Sequence, residues 1–289
     1  MQLAAITDEI SQDFEHALDV MLEYEAYGVE LRGLWRTNIA DLSEEQVLQA
    51  KSALKSRNMP AICLATPFYK CDLEFDKVNE GESVGRMHLA TPRGLEQQME
   101  MLQRCIRLAH TFETPLLRVF SFWRKAALTP EIEAQIISAF AEPVALAEKE
   151  GITLVLENEH ACFIGTGEEA ARIAKAVNSP NFKLVWDPGN ALCADEPAFP
   201  IGYEAVKPWL THVHVKDAIM RETEHHGKQP EWCVIGEGEI GYTEQFAALK
   251  KDGYTGYISL ETHIKPPTGK TSEDVSRLCL SALQQFLSN

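Results

Sequence analysis

Eight short apolar runs, each followed by a stretch of helical periodicity, constrain this chain more than any other feature. They are "LAAIT" (3–7), "GVELRG" (28–33), "PAICLAT" (60–66), "PLLRVFSF" (115–122), "GITLVLENE" (151–159), "FKLVWDPGN" (182–190), "THVHVKD" (211–217) and "GYISLETH" (256–263). Helical patterns fill the intervals: Asp13 to Tyr27, 42–58, about Gly94 to Thr111, Pro130 to Glu150, 167–177, a short piece near Tyr203, Thr243 to Lys251, and 272–287. The second of these opens on a capping box, Ser43 with Gln46. Such alternation implies βαβ units and a parallel sheet. Eight units in 289 residues suit an α/β single-domain (β/α)8 TIM barrel spanning 1–289. An open doubly wound sheet is the rival. It usually carries a Gly-rich phosphate turn after an early strand, and neither GxGxxG nor a P-loop occurs here.

Composition narrows the setting. The formal net charge is −16 with no basic patch, which argues against nucleic acid and anionic membrane surfaces as partners. No apolar run reaches the length of a membrane span. The opening "MQLAAITDEI" lacks a basic n-region, and the seven cysteines form no CxxC pair. Both features predict a cytoplasmic protein with reduced thiols.

Two connections are too long for plain turns: Pro67 to Pro92 and Ala218 to Gly241. Each follows a strand, so both are expected at the C-terminal face of a barrel, as functional lids or insertions. His225 and His226, in the second, are expected to be surface histidines, with a place over the site as the alternative.

Polar side chains near the C-terminal ends of barrel strands project into the mouth. Four late strands end this way, in Glu157 and Glu159, Asp187, His214, and Glu261. Two glutamates, an aspartate and a histidine from successive strands form an oxygen-rich set with one nitrogen. That set suits a divalent ion, Mn²⁺ or Mg²⁺ ahead of Co²⁺ or Zn²⁺, since no thiolate takes part. A lone acidic residue after a strand is more often a helix N-cap. The weight lies in the repetition at one relative place in consecutive units.

The ordered set "LENEH", "VWDPGN", "HVHVKD", "GEGEIGY" and "GYISLETH" resembles the xylose-isomerase-like barrel superfamily, the sugar phosphate isomerase/epimerase group. The likeness is clearest from about Gly151 to His263. It implies that Glu157, Asp187, His214 and Glu261 bind the metal, and that Glu157 and Glu261 are also the proton-transfer pair. His214 stands three residues before Asp217, as in the family's histidine-to-acid pattern. Asn190 stands where epimerases often have histidine. Dehydratase relatives carry a catalytic histidine in an E-x-H arrangement, where this chain has E-N-E-H. Relatives often form dimers or tetramers, which makes a homo-oligomer the expectation.

The chemistry expected is proton transfer next to a carbonyl through an enediolate, on a small carbohydrate substrate. Return of the proton to the same or the neighbouring carbon makes the enzyme an epimerase or isomerase, the leading expectation. Loss of a β-hydroxyl makes it a dehydratase or lyase on a polyol or keto-sugar. A binding barrel without turnover is the third reading. Arg118, Glu159, His160, Asn190, Lys216 and Asp217 are expected to contact substrate. Arg32 is expected either to do so or to lie in an internal ion pair. His212 is assigned to interior packing or to hydrogen bonding behind the metal ligands.

Overall fold

The computed structural model describes residues 1–73, 89–224 and 227–288. His225, His226 and most of the Pro67 to Pro92 connection lie outside the described residues.

All eight expected strands form. They are β1 (Gln2–Ile6), β2 (Gly28–Leu31), β3 (Ala61–Ala65), β4 (Leu116–Val119), β5 (Thr153–Glu157), β6 (Phe182–Trp186), β7 (Leu210–Val215) and β8 (Tyr257–Leu260). Each pairs in parallel with its neighbour, and β1 closes the barrel against β8 with Ala4 opposite Ser259. The helices are α1 (Phe14–Glu23), α2 (Glu44–Arg57), α3 (Gln98–Phe112), α4 (Pro130–Ala139), α5 (Ala141–Glu150), α6 (Gly167–Val177), α7 (Pro188–Cys193), α8 (Tyr203–Val206), α9 (Tyr242–Lys251) and α10 (Ser272–Ser288).

The period-2 pattern of β7 explains its odd composition. Val213 and Val215 belong to the large apolar core that also contains the buried helix faces. His212 and His214 alternate with them and are buried on the other side, inside the barrel. Helices bury their apolar stripes in the same way. Helix α6 is closed by a Thr166–Glu169 capping box and buries Ala170, Ile173 and Ala174. The barrel interior has a small apolar floor of Ala4, Cys63, Val155 and Val185. Two residues further along β5 and just past β6, the interior turns charged, at Glu157 and Asp187. A polar layer therefore rests on the floor, at the C-terminal side of the barrel.

Two expectations are corrected. The helix expected over Pro130 to Glu150 is two helices meeting at Phe140. The cause is Pro143, which has no N–H for the carbonyl of Ala139. The Tyr69 hydroxyl donates to that carbonyl instead, at 2.7 Å. The connection from Ala218 to Gly241 is mostly not loop. Asp217–Thr223 pairs antiparallel with Gly227–Cys233 in a two-stranded ribbon at the barrel mouth.

Candidate metal centre

Donor atoms of Glu157, Asp187, His214 and Glu261 all lie within 4.8 Å of one another, and all four residues are buried. The four expected ligands thus converge on one point. Each arrives for a local reason. Glu157 is the last residue of β5, two positions beyond the floor residue Val155. Asp187 directly follows β6 and is the N-cap of α7: its Oδ1 accepts the N–H of Asn190 at 2.8 Å. The capping role fixes the carboxylate and turns Oδ2 toward the cluster. Asn158 locks the same spot, donating to the Asp187 carbonyl and accepting the Asp187 N–H, each at 2.8 Å. Glu261 follows β8, and its N–H donates to the Val215 carbonyl of β7 at 3.0 Å.

The His214 ring is oriented from both sides. Its Nδ1 faces Glu157 Oε1 at 3.4 Å and Glu261 Oε2 at 3.6 Å. Its Nε2 points the other way, to the Glu30 carboxylate at 3.0 Å.

Three carboxylates this close repel unless cations answer them. Lys216 Nζ lies 2.8 Å from Asp187 Oδ2 and 2.9 Å from Glu261 Oε2. Arg118 Nη1 is 3.1 Å from Glu157 Oε2. Arg32 Nη1 donates to Glu261 Oε1 at 2.7 Å, and the same guanidinium pairs with Asp8 and Glu9. Arg32 therefore lies in an internal ion-pair network that also buttresses Glu261. Buried Glu157 Oε2 and Asp187 Oδ2 nevertheless receive no aligned hydrogen bond; their contacts with Arg118 and Lys216 are of charge alone. Under-satisfied buried carboxylate oxygens beside one imidazole nitrogen are the donor set that a hard or borderline divalent ion takes. The residues present fit such an ion.

The electrostatics follow from this crowding. Burial pushes the Asp187 carboxyl up to about 6, against the pull of Lys216. Burial pushes Glu261 up too, but Lys216 and His214 outweigh it and hold that carboxyl well below its usual range. For His214 burial works downward. The carboxylates of Glu30 and Glu157 prevail and hold the imidazole well above its ordinary value.

A second polar group lies beside the cluster at the mouth. The Glu159 carboxylate is 3.1 Å from Lys70 Nζ and 3.1 Å from His160 Nδ1. His160 Nδ1 also lies 2.9 Å from Asn190 Oδ1, and Asn190 Nδ2 donates to Glu157 Oε1 at 3.2 Å. His160, its side chain 38% exposed, is thereby linked to the buried cluster through Asn190. Burial lowers the His160 imidazole, but Glu159 and Asn190 raise it more. Of the residues expected to contact substrate, Arg118, Glu159, His160, Asn190 and Lys216 gather at or next to the cluster. Asp217 meets a different geometry. Its carboxylate is engaged by the N–H groups of Ala218, Gly236 and Gly238 at 2.9, 2.8 and 3.0 Å. It organises the "GEGEIG" turn. A Cβ on Gly238 would fall 2.1 Å from Asp217 Oδ1, which is why glycine stands there.

Sequence reasoning passed over Asn158, Lys70 and Trp232, and took Glu30 only as a partner in an internal ion pair near Arg32. Glu30 carried a usable signal, a charged residue in mid-strand two positions before Arg32. Trp232 lies on the second strand of the ribbon. Its ring is 5.7 Å from Lys216 Nζ and 5.0 Å from the His263 ring. The ribbon thus forms one wall of the mouth.

Comparison with known proteins places this architecture. A 135-residue segment is 34% identical to an uncharacterized protein of Methanocaldococcus jannaschii, covering 45% of this chain and 44% of that one. A 138-residue segment is 28% identical to the inosose dehydratase of Bacillus licheniformis, covering 44% of this chain and 46% of the enzyme. The matched part spans about half the length of these curated relatives. In three dimensions the chain is similar to the crystal structure of the IOLI protein with a bound zinc atom. The TM-score is 0.74 over 100% of this chain and 98% of that one, at 16% identity, a likeness of fold. The family model for xylose isomerase-like TIM barrels matches residues 18–280. That is nearly the whole barrel, and the chain belongs to that family.

Proposed function

We propose that this chain is a divalent-metal-dependent lyase that removes water from a small keto-sugar or keto-polyol. The observation that carries the reading is the Glu159–His160–Asn190 group beside the cluster. Elimination needs a base for the proton next to the carbonyl and a separate acid for the departing hydroxyl. The cluster supplies the first and His160 the second. The sequence likeness to an inosose dehydratase supports the same choice, and with it a cyclic keto-polyol as the substrate class.

In this reading Glu157, Asp187, His214 and Glu261 hold the ion. When bound, a divalent ion there supplies Lewis-acid polarisation of the substrate carbonyl. With three carboxylates, one imidazole and no thiolate, the set favours Mn²⁺ or Mg²⁺. Glu261 takes the proton from the carbon beside the carbonyl. The electron pair of that C–H bond moves toward the carbonyl and then expels the β-hydroxyl as the C–O bond breaks. His160, held protonated by Glu159, gives its proton to the departing oxygen, so water leaves. Lys216 Nζ, within 2.9 Å of Glu261, answers negative charge developing at the reacting oxygen. Arg118 anchors Glu157, and Trp232 presents an apolar ring face to the substrate. The setting is cytoplasmic, in keeping with seven cysteines that are all free. Among the described residues no helix is long and apolar enough to cross a membrane.

The sequence expectation of an isomerase or epimerase is the second reading. It is favoured by Glu157 and Glu261 facing the same point, the arrangement for proton removal and return on one carbon. One variant separates the two. His160→Gln, supplied with Mn²⁺ and a keto-inositol in D₂O, should still exchange the proton next to the carbonyl. Its elimination should fall about 10²–10⁴-fold. Epimer formation without water loss in the wild type would move the assignment to the second reading, whereas elimination at the wild-type rate in the variant would remove His160 as the acid and with it the observation that carries the lyase reading.

A further inference from the structure

Glu30 is a glutamate in the middle of a barrel strand, fully buried, where branched apolar side chains normally fill the interior. It is not isolated. Its carboxylate accepts from His212 Nε2 at 2.9 Å and from His214 Nε2 at 3.0 Å. The two imidazoles meet it nearly perpendicular to each other, at 86° and 5.2 Å between ring centres. None of these three side chains is more than 2% exposed. A buried charge is retained at considerable cost unless its geometry is needed.

We propose that Glu30 is a positioning residue for the metal centre, one that fixes the tautomer and ring orientation of His214, with His212 holding Glu30 in turn. The proposal rests on the metal-centre reading above. A neutral imidazole has one N–H and one lone pair. The Glu30 carboxylate accepts the Nε2 proton, which leaves the Nδ1 lone pair directed at the point shared by Glu157 and Glu261. Partners of this kind, behind a ligating histidine, raise its basicity and fix its aim. Period 2 makes the arrangement possible. Glu30 and Arg32 alternate up β2 and its end, and His212 and His214 alternate up β7. The lower residue of β2 thus reaches the histidines, while the upper one reaches Glu261.

Donor atoms of Glu30, His212 and His214 also lie within 4.8 Å of one another, so a second ion is the competing assignment. The same histidine argues against it. His214 would have to offer Nε2 to the lower ion and Nδ1 to the upper, which requires loss of both ring protons.

The test is Mn²⁺ binding by equilibrium dialysis on the intact protein and on Glu30→Gln, with folding followed by circular dichroism. The expected result is one ion per wild-type chain, and a folded variant that still takes one ion but about 10–100-fold more weakly. Equal affinity in the variant would overturn the positioning role. Two ions per wild-type chain, one of them lost in the variant, would make Glu30 a ligand and overturn it as well. Uptake of no ion by the wild type would remove the metal-centre reading itself, and this proposal with it. A second measurement needs no substitution. In ¹⁵N-histidine-labelled wild type, loading with diamagnetic Mg²⁺ should shift the His214 Nδ1 resonance and preserve the Nε2–H signal. Loss of the Nε2–H signal would contradict the proposal even if Glu30→Gln fails to fold.

Discussion

Asp187 does two things with one carboxylate. Oδ1 caps α7 while Oδ2 faces Lys216 and the cluster. Cap and candidate ligand are therefore not rival readings of this residue. Protons compete with an ion for these groups, and the sign follows from the shifts. His214 stands well above its ordinary value, so near neutrality it carries a proton that must leave when Nδ1 binds an ion. Asp187 stands at about 6, so below that pH a second proton must leave. Ion affinity should rise steeply up to about pH 6 and then by about tenfold per pH unit or less, until His214 is neutral. Calorimetric titration in two buffers of different ionisation enthalpy counts the protons released. An affinity that does not change between pH 6 and 8 would contradict the assignment of His214. Glu261→Gln, measured with the ion in excess, should lower proton exchange next to the carbonyl about 10²–10⁴-fold. Exchange at the wild-type rate would remove Glu261 from the proton-transfer role.

Among the elements, the ribbon of Asp217–Thr223 with Gly227–Cys233 stands outside the eight-stranded barrel, at its mouth. Its root is Asp217, whose carboxylate gathers the N–H groups of Ala218, Gly236 and Gly238. Gly238→Ala should cost about 1–3 kcal/mol, because the new methyl group and Asp217 Oδ1 cannot both keep their places. It should also raise KM more than it lowers kcat, since the wall carrying Trp232 shifts while the cluster does not. Chemical denaturation and steady-state kinetics check both halves. A variant as stable as the wild type would show that the Asp217 turn is not rigid. The ribbon was not legible in the sequence because its strands carry polar residues on both faces, and no apolar period marks them. The break at Phe140 was legible in principle. Pro143 stands in plain view, and a proline within a helical pattern ends or kinks it.

At the scale of the molecule, the barrel was legible because each βα unit repeats the same short-range signals, an apolar run and then a stretch of helical periodicity. The four converging donors were legible for a related reason: each stands within one residue of the C-terminal end of its strand. What the sequence hid is the support beneath them. Glu30 and His212 are 182 positions apart and meet only because β2 and β7 close into one barrel. Lys70 and Glu159 are likewise separated by 89 positions. Charge partners across a barrel leave no periodicity to read. Lys216 was placed at the mouth as a substrate contact, yet it also balances two of the proposed ligands, a role visible only in three dimensions.

The central claim is that Glu157, Asp187, His214 and Glu261 form one divalent-metal site. Elemental analysis of protein purified without chelator and then offered Mn²⁺ tests it most directly, repeated on Asp187→Asn and His214→Ala. Asparagine keeps an oxygen for the α7 cap, so loss of metal in that variant reports on the ligand and not on the helix. The expected result is about one ion per wild-type chain, lost from both variants. In the wild type alone, unfolding should be displaced by about 2.7 kcal/mol when free ion reaches a hundred times its Kd. A wild-type chain that takes up no ion, or variants that retain it in full, would contradict the claim.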